Sequence, residues 1–149
     1  MKIEEEIKQS KFKSPFQKVA INLQFTAKWL EASGNVFFKE FGITMQQFNI
    51  LRILRGQNPN SISAAEIKQR MLDRNSDVSR LLDRLVDKKL ITKNQCESDK
   101  RACDVKITSA GLKLLSEIDD HLDEIDSKIL KLTAKEASQL SDLLDKCRG

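Results

Sequence analysis

Between Asn75 and Gly111 the hydrophobic period of the chain changes once, and that change limits the possible folds more than any other feature. Taken at 100° per residue, Val78, Leu81, Leu82 and Leu85 fall on one side of a helix. Ser76, Ser79, Arg80, Asp83 and Arg84 fall on the other. After Lys89 the pattern becomes β-rich: Leu90-Ile91-Thr92-Lys93-Asn94-Gln95-Cys96, then Cys103-Asp104-Val105-Lys106-Ile107, where apolar and polar residues alternate. The six residues between the two runs hold two acids and two bases and read as a hairpin tip. Short hydroxyls and arginines on an exposed helix face, beside a basic hairpin, suit a reader of nucleic acid.

The residues before this stretch extend the motif. Ser63-Ala64-Ala65-Glu66 is a capping box, and Ile67 and Met71 anchor the short helix it opens. Leu72-Asp73-Arg74 reads as a tight connection, with Asn75 as the N-cap of the next helix. Two helices joined by about four residues form the helix-turn-helix plan. The added hairpin makes it a winged helix.

Longer helices flank this unit. Residues 1–13 are polar and predict a frayed or loosely docked arm. Ser14-Pro15-Phe16-Gln17 starts a helix that carries Phe16, Val19, Leu23, Ala27 and Leu30 on one face, with Gly34 as its left-handed end. A short aromatic segment, 36–41, closes at Gly42, and Thr44-Met45-Gln46-Gln47 caps a helix running through Phe48, Leu51 and Leu54 to Gly56. Asn58-Pro59-Asn60 is a turn. Past Thr108, a further N-cap, Leu115, Ile118, Leu122, Ile125, Ile129 and Leu132 are spaced alternately three and four apart. Such an a/d seam requires a partner helix, either in the same chain or in a second copy, and the flanking segments suit a dimer interface. Thr133-Ala134-Lys135-Glu136 caps a last helix with Leu140, Leu143, Leu144 and Cys147. The fold expected is mainly α: one domain over 1–149, with a winged helix-turn-helix at 43–111 and dimerisation helices at 14–33 and 112–148.

Composition narrows the function. Residues 116–145 carry nine carboxylates against three lysines, a balance of −6, whereas residues 1–115 hold +8. A basic body with an acidic C-terminal helix points to a polyanion partner on one side. No apolar run approaches the roughly 18–20 residues of a membrane span, and the charged start lacks a signal peptide. Three cysteines without an export signal argue against a disulfide framework, so the cytoplasm is the expected compartment. With one His, no Tyr, no Cys-x-x-Cys and no Gly-rich phosphate loop, neither a catalytic site nor a cofactor or metal is expected. His121 reads as a residue on the rim of the C-terminal seam.

The run from Ser63 to Gly111 resembles the winged-helix transcription regulators of the MarR (multiple antibiotic resistance regulator) family. Asn75 to Leu85 looks like their recognition helix. Asp99-Lys100-Arg101, with Thr108 and Gly111 downstream, resembles their wing signature, D-x-R followed by T-x-x-G. The helix order fits over nearly the whole chain, including Leu132-Thr133-x-x-Glu136. One departure stands out: many members have Gly where this chain has Lys89. A non-glycine residue in a left-handed turn there costs roughly 1 kcal/mol.

The resemblance implies a homodimer that binds a pseudo-palindromic operator in double-stranded DNA, with repression as the default outcome. Recognition helices about 34–36 Å apart match half-sites centred roughly 10 base pairs apart. Asn75, Ser76, Ser79, Arg80 and Arg84 are the expected major-groove contacts, the arginines being able to bridge guanine O6 and N7. By resemblance Arg101 enters the minor groove with Asp99 orienting it, while Lys93 and Lys100 meet phosphates. Asp77, Asp83 and Asp87 should face away or hold an arginine.

Two switches are open. Trp29, Phe37, Phe38 and Phe41 lie where the family binds small aromatic effectors, and equally suit a core. Cys96 and Cys103 flank the hairpin tip and could face each other as an oxidisable pair, or be small buried hydrophobes. The alternative function is a winged-helix module that binds protein instead of DNA, which would require an acidic or apolar face on the 75–88 helix.

Overall fold

The computed structural model describes the backbone of residues 1–96 and 99–149, and side chains other than those of 95–103 and 123–126. In chain order it runs α1 (Ile3–Glu6), α2 (Pro15–Glu40), α3 (Met45–Gln57), β1 (Ile62–Ser63), α4 (Ala64–Arg70), α5 (Val78–Asp87), β2 (Ile91–Cys96), β3 (Asp99–Ile107), α6 (Ser109–Leu130) and α7 (Ala134–Arg148). The strands form an antiparallel sheet in the order β1-β3-β2, with Ile62 across from Val105 and Ile91 across from Ile107. Helices α3, α4, α5 and the first turns of α6 close over this sheet. Ile50, Leu51, Leu54, Ile67, Leu82, Leu85, Val105, Leu115 and Ile118 are fully buried there. The mainly helical winged-helix architecture is the one expected from the sequence.

Helix starts follow the expected caps. Thr44 Oγ1 accepts from Gln47 N at 3.2 Å while Gln47 Oε1 accepts from Thr44 N at 3.0 Å. Ser63 with Glu66, and Thr133 with Glu136, repeat this reciprocal pattern. Each box satisfies amide donors that a helix start otherwise leaves unpaired. Ser14 Oγ accepts from Gln17 N, with Pro15 at the first helical position.

Two expectations are corrected. Gly34 does not end the first long helix, which continues to Glu40. A Cβ at Gly34 would stand 3.2 Å from Met45 Sδ, so this glycine lets α2 and α3 pass closely; the left-handed residue is Gly42, at φ +70°. The aromatic segment is therefore the end of α2, and it delivers Phe38 to the core stacked 4.4 Å from Phe48.

Asn75 is not an N-cap. Asp77 is, accepting from Arg80 N at 3.1 Å, and α5 starts at Val78. The connection is longer than expected because the Asp73 carboxylate organises it. Asn75 N–H donates to one oxygen at 3.0 Å, and Ser76 Oγ donates to the other at 2.9 Å. Strand β1 is an addition to the expected elements, since two residues are too few to show a period in the sequence.

The Lys89 turn is kept in its left-handed form, at φ +59°. Lys89 N donates to Val86 O at 2.8 Å and Leu90 N to Leu85 O at 3.0 Å, the Schellman pairing that ends a helix at a left-handed residue. Thr108 Oγ1 then donates to the carbonyls of Lys89 and Leu90, at 2.9 and 3.0 Å as alternatives, and accepts from Gly111 N at 3.1 Å. A Cβ on Gly111 would overlap the Leu90 carbonyl oxygen and stand 2.7 Å from Ile107 Cγ1. The T-x-x-G signature thus fastens the root of the hairpin to the start of α6.

The flanks behave differently. Leu115 and Ile118 of the seam are buried, Leu122 is half-buried, and Leu130 and Leu132 are exposed. Helix α7 has no buried residue. Phe16, Val19 and Leu23 leave the face of α2 exposed. The N-terminal arm is docked: Ile3 is buried, and Lys18 bonds the Glu4 carboxylate and holds its pKa below the usual range.

Candidate nucleic-acid interface

Helix α5 seats Val78, Leu82 and Leu85 in the core and leaves Ser79, Arg80, Asp83 and Arg84 exposed, as its period requires. Among the described residues, neither Arg80 nor Arg84 has a side-chain hydrogen bond or ion pair, so both guanidinium groups retain all their donors. Asp77 is occupied by capping. Asp83 accepts from Lys93 Nζ at 2.9 Å, tying α5 to β2. Of the three acids expected to face away or hold an arginine, Asp77 is thus taken up by the cap, and Asp83 stays exposed and holds a lysine instead.

The face is less uniform than its spacing suggested. Ser79 and Asp83, one turn apart, lie on the β2 side. Arg84 lies on the other flank, lining an open hollow of about 530 Å³ with Lys39, Gly42, Gln47, Asp87 and Lys88. Arg80 projects between them. Ser76 is half-buried and bonded to Asp73, while Asn75 is exposed in the turn before α5. These two hydrogen bonds hold the Asp73 carboxyl below the usual range, the backbone bond from Asn75 being the larger cause.

A second exposed group went unnoticed in the sequence. Lys68, Gln69 and Arg74, with Ala65, line an open hollow of about 650 Å³ beside the turn between α4 and α5. The signal was present as Lys68, Arg70 and Arg74 within one short span.

The side chains of Asp99, Lys100, Arg101, Cys96 and Cys103 lie outside the described residues. The strand register sets Cys103 across from Gln95 and Cys96 across from Asp99, so the cysteines are not a directly facing pair as expected. Cys147 is free and exposed. The four aromatics proposed for a ligand are not brought together. Phe37, Phe38 and Phe41 form one cluster, with neighbouring ring centroids 5.0–5.1 Å apart, whereas Trp29 lines a hollow of about 150 Å³ with Ile3 and Phe25 under the N-terminal arm. His121 is exposed, its ring 6.3 Å from Phe41. Among the described residues no group of His, Cys, Asp or Glu is placed to hold a metal ion, and no helix is long and apolar enough to cross a membrane.

Comparison with known proteins gives one answer. A family model described as the MarR family matches residues 43–103. The HTH-type transcriptional regulator MhqR of Bacillus subtilis (strain 168) is 26% identical over 113 residues, covering 74% of this chain and 75% of that protein. The crystal structure of a MarR transcription factor from Planctomyces limnophilus is 30% identical, covers 91% of this chain and 98% of its own, and superposes with a TM-score of 0.71. A mutant MarR from E. coli, solved in complex with operator DNA, shares the fold at a TM-score of 0.77 and 24% identity, covering 93% of this chain and 99% of that one. The chain belongs to the MarR family of transcription regulators.

Proposed function

We propose that this protein is a cytoplasmic, homodimeric, DNA-binding regulator, and by default a repressor, that reads a pseudo-palindromic operator through α5 and the β2–β3 wing. The observation that carries this reading is the exposed pair Arg80 and Arg84, without side-chain partners among the described residues, on a helix whose inner face is locked into the core. Ser79 beside them is short enough to let the helix approach base edges, and the arginines supply bidentate donors for guanine. Lys68 on α4 and Arg74 in the turn before α5 add positive charge where a helix-turn-helix meets the backbone. The DNA complex of the similar E. coli MarR supports the same direction. No acidic or apolar face on α5 favours the protein-binding alternative.

The exposed stripes of α2, α6 and α7 support pairing of two copies, which spaces the two readers for successive major grooves. Release is assigned to one of two inputs: a small aromatic ligand near Phe37 and Phe41, or oxidation of Cys96 or Cys103. Gel shifts on the DNA upstream of the protein's own gene, with competitor DNA, test the reading. Arg101→Ala is expected to weaken binding about tenfold or more while the dimer persists. Binding equal to that of competitor DNA overturns the proposal, and unchanged affinity in the variant removes Arg101 from it. Adding peroxide, with and without Cys103→Ser, separates the two inputs.

A further inference from the structure

Lys93 was expected to meet phosphate, but its surroundings describe a different task. Its Nζ lies 2.9 Å from Asp83 Oδ1, and its side chain is only 26% exposed, against 65% for the aspartate. A lysine that reaches for DNA keeps its ammonium in solvent; this one is laid along α5. Its backbone pairs with Val105, which is fully buried, so Lys93 sits where the first wing strand leaves the core. Among the described residues this is the one ion pair that joins α5 to another element.

Asp83 occupies the exposed face one turn from Ser79 and three residues from Arg80. A bare carboxylate there would repel phosphates within a screening length of about 8 Å at physiological salt. We propose that Asp83 and Lys93 are positioning residues for the DNA reading proposed above: the pair fixes the wing strand against the recognition helix and cancels the aspartate charge. Exposed ion pairs contribute little to stability, so the effect belongs to DNA affinity.

Charge alone and positioning predict opposite signs for one variant. Removing an acid from a DNA-facing surface should tighten binding if Asp83 acts only by its charge. If the pair positions the wing, Asp83→Asn weakens binding about five- to tenfold, Lys93→Gln does the same, and the double variant is no worse than either. Asp83→Glu, which keeps the carboxylate, retains near wild-type affinity.

The test is fluorescence-anisotropy titration of the full chain on duplexes that the wild-type protein selects from a random-sequence pool, over a salt series. The slope of log affinity against log salt should be unchanged in Lys93→Gln; a phosphate contact would lower it by about 0.9. The proposal is overturned if Asp83→Asn binds as well as or better than wild type, if single losses multiply in the double variant, if Asp83→Glu fails like Asp83→Asn, or if the Lys93→Gln slope falls. If the wild-type protein selects no duplex, the DNA reading itself fails.

Discussion

Leu85 on α5 and Leu143 on α7 both lie on the apolar stripe of an amphipathic helix, yet the first is completely enclosed and the second is 59% exposed. The same contrast runs through the molecule. The winged-helix part encloses most of its apolar surface with α3, α4, α5, the sheet and the first turns of α6, Leu72 in the turn after α4 being the main exception. Phe16 and Leu143 in the flanks are mostly exposed, and Val19 and Leu140 nearly half so. Full burial of a side chain of this size is worth about 1.5–3 kcal/mol, so an uncovered stripe of several is a large unspent driving force. In the proposed dimer, folding and assembly fall to two different sets of residues, and substitutions can address one without the other.

The largest effect is expected in the enclosed part. Leu85→Ala should lower stability by about 2–5 kcal/mol in urea unfolding, because a tightly packed site cannot collapse around the cavity. The equivalent change in the flank, Leu143→Ala, should instead act on assembly, raising the dimer dissociation constant tenfold for each ~1.4 kcal/mol lost. Sedimentation over a concentration series checks this, and a Leu143→Ala protein as destabilised as Leu85→Ala would erase the division. Asp77→Ala removes the cap of α5 and should cost about 1 kcal/mol by the same urea measurement. Loss of that cap belongs to the reader alone, so the dimer constant should stay put.

The smallest effect is electrostatic. Glu66 and Glu136 accept hydrogen bonds in the capping boxes of α4 and α7, first from the backbone and then from the hydroxyl of Ser63 and Thr133, and both pKa values are lowered from 4.5. A carboxyl whose folded pKa lies below its unfolded value stabilises the fold above the unfolded pKa, and that contribution disappears as pH falls through the folded one. Acidification below about 4.5 should loosen both boxes. The amide signals of α7, which has no buried side chain to hold it, should broaden before those of α4. Glu136→Gln should abolish that early change.

Much of this was legible because the signals were local. Ser14, Thr44, Ser63, Thr108 and Thr133 all cap where short-range spacing placed them, and the switch of period at Lys89 located the hairpin. The errors share a cause too. Gly34 resembled a helix end, but its role is set by Met45 on another helix, which no local pattern contains. Asn75 resembled a cap, but the Asp73 carboxylate outcompetes it by organising the turn and shifting the start to Asp77. In the candidate site, the exposed serine and arginines followed from periodicity. The Asp83–Lys93 pair joins a helix to a strand and required the fold to be seen.

Lys89 carries a consequence of its own. It holds a left-handed backbone that glycine would adopt at lower cost, by roughly 1 kcal/mol, while placing an exposed ammonium at the root of the wing. Stability and attraction for a polyanion therefore pull this position in opposite directions. Variants selected for heat resistance alone would drift to glycine here, whereas those selected for grip on DNA would keep the lysine and its strain.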